Sequence, residues 1–225
     1  MSRYPAAALA AALALAAAAP AHAVFIGNTQ GGTDFPEGAV SFADAVVSYS
    51  PGVVAGNPSD PHRGDFNALD VPDYSGVNSC ASQAACSFVS LGDGGSIVLR
   101  FIDNKLTGSG DNALDLWVFE VGPDIEDTFV DISTDGILWH AVGKVFGSTA
   151  GIDIDAFGFG IADQFGYIRL TDDTDEGGQS GATVGADIDA VGAISTTRTP
   201  VPEPATFALA GLALAALKRT RSRRR

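Results

Sequence analysis

Between residues 24 and 199 the chain shows no long run of apolar residues at helical spacing. Short β-branched and aromatic runs recur instead, each cut by Gly, Asp, Asn or Pro. Runs of this length cannot bury a helical stripe, but they can line the two faces of a sheet. Eight of them read as strands: 39–49, 87–91, 96–102, 113–121, 128–133, 138–146, 166–171 and 186–194. Eight strands joined by loops predict an all-β fold, a β-sandwich or jelly roll. Trp117-Val118-Phe119-Glu120-Val121 is apolar on both faces and predicts a central strand between packed layers. Val130-Asp131-Ile132-Ser133 alternates, as a strand with one wet face does.

Two apolar ends flank this region. A single cation, Arg3, precedes an apolar run from Ala6 to Ala19, and Ala21 and Ala23 then supply the small residues of an A-x-A site. These are the three regions of a secretory signal, so residues 1–23 are expected to form a signal helix removed by signal peptidase after Ala23. At the other end, the prolines of Pro200-Val201-Pro202-Glu203-Pro204 impose an extended stretch. An apolar run from Thr206 to Leu217 follows, and six cations close the chain. About 13 apolar residues in a helix span only ~20 Å against a ~30 Å hydrocarbon core. Such a tail can hold a chain briefly in a membrane with its cations on the cytoplasmic side.

Pro202-Glu203-Pro204, the apolar run and the basic end together resemble the PEP-CTERM sorting signal of Gram-negative bacteria. The resemblance covers residues 200–225. It implies an exosortase-type membrane protease as a partner and export through the inner membrane. Transient anchoring by the C-terminal hydrophobic helix would follow, then residence at the cell surface or outside the cell.

Between the ends lie residues 24–199, a natural size for one domain. Seven of the 13 Lys and Arg and one of the 27 Asp and Glu fall in the ends, which leaves six cations against 26 acids, a formal charge of −20. Such a domain repels nucleic acid, whose binding is driven by cation–phosphate contacts, and invites divalent cations. Cys80 and Cys86 are six residues apart. In an oxidising compartment they are expected to pair as a disulfide closing a short loop, a link contributing about 2.4 kcal/mol in the chain-entropy model. The turn-rich segment 50–82 is long enough to expect a function or a ligand that pins it.

Two stretches echo each other: Gly151-Ile152-Asp153-Ile154-Asp155-Ala156-Phe157-Gly158 and Gly185-Ala186-Asp187-Ile188-Asp189-Ala190-Val191-Gly192. In a strand the two aspartates of each would share one face and the isoleucine between them would face the core. Paired carboxylates repel one another unless a cation sits between them. For Asp187 and Asp189 a structural role is expected over simple solvation.

Ser133-Thr134-Asp135-Gly136-Ile137-Leu138-Trp139 resembles the S-x-D-G-x-x-W hairpin of discoidin-type, galactose-binding-like jelly rolls. Asp-Gly supplies the tight turn, and Trp139 is expected to re-enter the core. Asn67-Ala68-Leu69-Asp70-Val71-Pro72-Asp73 is similar to an A-L-G-x-P-D loop of related secreted proteins, with Asp70 where glycine is usual. The resemblance implies a structural Ca²⁺ between this loop and the last strand, with Asp70, Asp73, Asp115, Glu120 and Asp187 as side-chain ligands. Glu120 has a second reading as a buried, hydrogen-bonded strand residue. The resemblance also implies sugar contact, with exopolysaccharide as the ligand and Tyr74 as a stacking platform.

No catalytic motif is complete. Gly178-Gln179-Ser180-Gly181-Ala182 misses the G-x-S-x-G elbow, and 172–176 lacks the spacing of an EF-hand. The expectation is a non-enzymatic, calcium-stabilised surface or matrix protein that contacts exopolysaccharide. The alternatives are a self-associating matrix protein with no sugar ligand and, third, a glycoside hydrolase.

Overall fold

The structure is a computed structural model of the 225-residue chain. It describes residues 22–27, 32–54, 56–76, 80–121, 126–146, 149–175 and 180–198. The expected signal helix with Ala21, and the tail with Pro202, Glu203 and Pro204, lie outside the described residues. Ala23 is exposed just before the first strand. Among the described residues no helix is long and apolar enough to cross a membrane.

Among the described residues thirteen strands form: β1 (Val24–Ile26), β2 (Thr33–Phe35), β3 (Ala45–Ser50), β4 (Val89–Ser90), β5 (Ser96–Arg100), β6 (Asn104–Leu106), β7 (Leu116–Glu120), β8 (Thr128–Ser133), β9 (His140–Val145), β10 (Thr149–Ile152), β11 (Tyr167–Asp172), β12 (Asp187–Ala193) and β13 (Thr196–Arg198). They build a five-stranded sheet in the order β3-β5-β11-β8-β9 and a four-stranded sheet in the order β10-β7-β12-β4. β1–β2 and β13–β6 add two short ribbons, and every pairing is antiparallel. The all-β sandwich expected from the sequence is the fold observed.

Alternation places the core. Ile97 and Leu99 of β5, Val130 and Ile132 of β8, and Ile168 and Leu170 of β11 point inward from the five-stranded sheet. They meet Leu116 and Val118 of β7 with Ile188 and Val191 of β12 in one buried cluster. The opposite face of the four-stranded sheet is also covered. Trp117 and Phe119 of β7 pack against Phe35 and Phe42, with ring centroids 4.7–6.0 Å apart among the three phenylalanines. β7 is therefore buried along its whole length, the central strand its two apolar faces predicted. The outer face of the five-stranded sheet stays wet.

The expected strand at 39–49 opens instead with a 3-10 turn, Gly38–Ser41, and strand β3 begins only at Ala45. The segment 50–82 is held by side chains: Arg63 donates to Pro58 O at 2.6 Å and Asn67 donates to Gln83 O at 2.9 Å. Cys80 and Cys86 form the expected disulfide.

Candidate functional site

The outer face of the five-stranded sheet concentrates rings and cations. On β11, Ile168 and Leu170 turn inward, so Tyr167, Arg169 and Thr171 turn outward. Register sets Arg169 opposite Asp131 and Thr171 opposite Phe129 on β8. Arg169 donates from Nε (3.1 Å) and Nη2 (3.0 Å) to one oxygen of Asp131, and its guanidinium lies 4.7 Å from the Trp139 ring centroid. Arg100 lies 5.5 Å from the Tyr167 ring. Lys144 sits between the rings of Phe129 (5.4 Å) and Phe146 (5.1 Å) and bonds to Asp127 at 2.6 Å and Asp173 at 2.5 Å. Those two carboxylates raise the Lys144 pKa above its ordinary value. All four cation–ring contacts found among the described residues thus lie on one face, each contributing about 0.5–1 kcal/mol where exposed. A shallow depression of about 460 Å³ opens beside the Lys144–Phe129 pair, lined by Phe129, Val130, Asp131, Ala141, Gly143, Lys144 and Thr171.

Trp139 corrects an expectation. It does not re-enter the core; it is half-buried at the surface beneath Arg169. The hairpin before it forms as the sequence indicates. Gly136 takes φ +75°, and Asp135 Oδ1 accepts the N–H groups of Ile137 and Leu138 at 2.8 and 3.0 Å. The tip holds Ile137 and Leu138 in solvent, so strand β9 starts only at His140 and Trp139 lands on the wet side. Tyr74, expected as a stacking platform, packs edge-on against Phe88 with centroids 5.8 Å apart.

The five residues that the resemblance assigns to calcium are not brought into one ligand sphere. Asp70 lies in the 66–76 loop at φ +64°, a left-handed backbone that explains why glycine suits this position and which aspartate also tolerates. Asp73 is exposed beside it. Glu120 and Asp187 are both buried. Burial first, and then the charge of Glu126, push Glu120 up to about 8. Asp187 is held well above the carboxylate range by burial, partly offset by the Ser90 hydroxyl that donates to it. Asp115 belongs to a different group, with Asp153 and Asp155, in which one oxygen from each lies within 4.8 Å of the others.

The residue that does join the early loop to β12 is Asp189. Its carboxylate accepts the N–H of Asp73 and of Tyr74, each at 3.2 Å. Burial raises its pKa to about 7. The D-I-D pattern singled it out, but no local signal indicated which backbone it would receive. His62, Cys80 and Cys86 also approach one another, but both sulfurs are committed to the disulfide. The His62 ring stacks on Phe88, and its Nδ1 lies 2.8 Å from Ser59 Oγ. Gly178 and Gln179 of the near-elbow lie outside the described residues.

Residues 200–225 match the PEP-CTERM protein-sorting motif, which implies export, processing by exosortase, a membrane protein, and sorting to the cell surface. No curated protein matches the chain. Among solved structures, the C-terminal domain of a chitobiase from Bacteroides fragilis is 14% identical, with a TM-score of 0.33. The match covers 47% of this chain and 64% of that domain, under two thirds of its length. CpGH89CBM32-6, produced by Clostridium perfringens, is 10% identical over 48% of this chain and 74% of its own, with a TM-score of 0.31. CpGH89CBM32-4 from the same organism was solved in complex with GlcNAc-α-1,4-galactose. It is 12% identical over 71% of this chain and 93% of its own, with a TM-score of 0.35.

Proposed function

We propose that this protein is a surface-sorted, non-enzymatic binding module whose β-sandwich holds extracellular polysaccharide on the outer face of its five-stranded sheet. The observation that carries this reading is the set of cation–ring contacts that the described residues make on that face, one of which, Lys144 against Phe129, lines a shallow depression. A pyranose presents an apolar C–H face and a rim of hydroxyls. Phe129 and Trp139 offer flat apolar partners to the first, and Asp131, Lys144 and Thr171 offer donors and acceptors to the second. The salt bridges already formed by Asp131 and Lys144 fix their positions, so little ordering is needed when a sugar arrives. In this reading signal peptidase removes residues 1–23. The tail then holds the chain in the membrane until exosortase acts, and the mature domain ends at the surface or in the matrix.

The test is retention of the purified protein on immobilised exopolysaccharide and on a glycan array, beside Phe129→Ala and Trp139→Ala variants. Retention by the wild type that falls in both variants supports the sheet face. Equal retention by all three moves the contact elsewhere. No retention on any glycan, with concentration-dependent assembly by light scattering, replaces the reading with a self-associating matrix protein. Turnover of a chromogenic glycoside panel replaces it with a hydrolase.

A further inference from the structure

The strand-end group Asp115, Asp153 and Asp155 lies away from the proposed sugar face. Asp115 directly precedes β7, and Asp153 directly follows β10, its antiparallel partner. Asp155 opens the 3-10 turn that comes next. The backbone of Asp115 is pinned on both sides: its N–H donates to Ile152 O at 2.8 Å, and its carbonyl accepts Ile194 N–H at 2.7 Å. Each carboxylate is then aimed by a backbone donor. Ile154 N–H reaches Asp115 Oδ2 at 2.9 Å, Ala156 N–H reaches Asp153 Oδ1 at 3.3 Å, and Gly110 N–H reaches Asp155 Oδ2 at 3.0 Å.

Asp115 is 0% exposed, and its Oδ1 accepts no hydrogen bond. A buried carboxylate oxygen with no partner is costly unless a cation balances it. No lysine, arginine or histidine forms an ion pair with the three aspartates among the described residues. Gly108 lets its loop close over the group, because a Cβ there would stand 2.7 Å from Asp155 Oδ2 and 2.3 Å from Phe159 O.

We infer that Asp115, Asp153 and Asp155 bind one divalent cation, Ca²⁺ by preference, which ties the β10–β7 edge to the loop around Gly108. The donors are all oxygen, as hard cations require. Oxygens within 4.8 Å of one another can share one ion at Ca–O bond lengths of about 2.3–2.6 Å, whereas Mg²⁺ demands a tighter octahedron at about 2.0–2.1 Å. Asp153 and Asp155 are half-buried, so water has access to complete the coordination.

The experiment is calorimetric titration of CaCl₂, and separately MgCl₂, into the EDTA-stripped full chain, with melting curves in Ca²⁺ and in chelator. It contains no sugar, so its outcome is independent of the glycan reading. The wild type is expected to bind one Ca²⁺ more tightly than Mg²⁺ at this site. Its melting point should rise by roughly 5–10 °C at a hundredfold excess over Kd. Asp153→Asn and Asp155→Asn each weaken Ca²⁺ binding on the order of 100-fold through the loss of ligand charge. Asp115→Asn, with less repulsion to relieve, melts in chelator at or above the wild-type temperature and no longer responds to Ca²⁺. No Ca²⁺ binding at millimolar concentration overturns the inference, as does binding that Asp153→Asn and Asp155→Asn leave unchanged.

Discussion

Gly151–Gly158 and Gly185–Gly192 carry nearly the same letters and end in different structures. In both, the isoleucine of D-I-D is fully buried in the inter-sheet core: Ile154 in one, Ile188 in the other. The aspartates diverge. Asp187 and Asp189 lie within β12, are 3% and 4% exposed, and are spent on Ser90 and on the 73–74 backbone. Asp153 and Asp155 fall past the end of β10, one before and one within a 3-10 turn, so they do not alternate along a strand as expected. β12 is flanked by β7 and β4, whereas β10 is an edge strand paired only with β7. An inserted strand keeps its extension by pairing on both sides; an edge strand can bend as soon as its last pair is made. A carboxylate inside the sheet must be hydrogen-bonded or neutral, and one at the edge can reach water or an ion.

The largest effect should come from the isoleucines. Ile188→Ala, between both sheets, is expected to cost about 4 kcal/mol, and Ile154→Ala, beside a turn that can collapse, about 3 kcal/mol, read by urea denaturation. A reversed order would mean that the strand-end echo, not the inserted one, anchors the core.

Next comes pH. Glu120, beside Asp187, has its pKa raised from 4.5 to about 8, and Asp189 has its pKa raised to about 7. Between pH 5 and 8 the folded chain keeps protons that the unfolded chain has released, so stability falls as pH rises through that window. In chelator, melting curves should show a loss on the order of 3 kcal/mol from Glu120 alone. Glu120→Gln should flatten the profile; an unchanged slope would place the titration elsewhere.

A smaller effect is expected at Asp189. Asp189→Ala leaves the Asp73 and Tyr74 N–H groups unpaired and should cost about 2 kcal/mol, with faster hydrogen exchange confined to the 72–76 loop. Asp155→Ala, in chelator, removes a charge from a half-buried site and should change stability by under about 1 kcal/mol. Equal losses would erase the distinction between the two echoes. A comparably small change in stability belongs to Trp139→Ala, about 1 kcal/mol for a surface cation–ring pair, in spite of its expected effect on glycan retention.

Much of the architecture was legible. The strand 128–133 matches β8 to the residue, and the buried nature of β7 follows from its two apolar faces. The ribbons β1–β2 and β6–β13, and strand β10, were not read. At three or four residues each they are too short to show a period, and they exist because a neighbour pairs with them. The meeting of three aspartates was less legible still. Asp115 was singled out, but its companions Asp153 and Asp155 lie 38 and 40 residues away in sequence, joined to it only through the β7–β10 pairing.

The sequence by itself determined the all-β class, the disulfide partners, the Asp-Gly turn at 135–136 and the sorting tail at 200–225. Each is written in contiguous residues whose local chemistry permits few alternatives. Only the tertiary structure decided which face Trp139 would join, which backbone Asp189 would receive and which aspartates would meet. Those outcomes depend on strand register and on whether a strand has one neighbour or two, and a linear pattern carries neither.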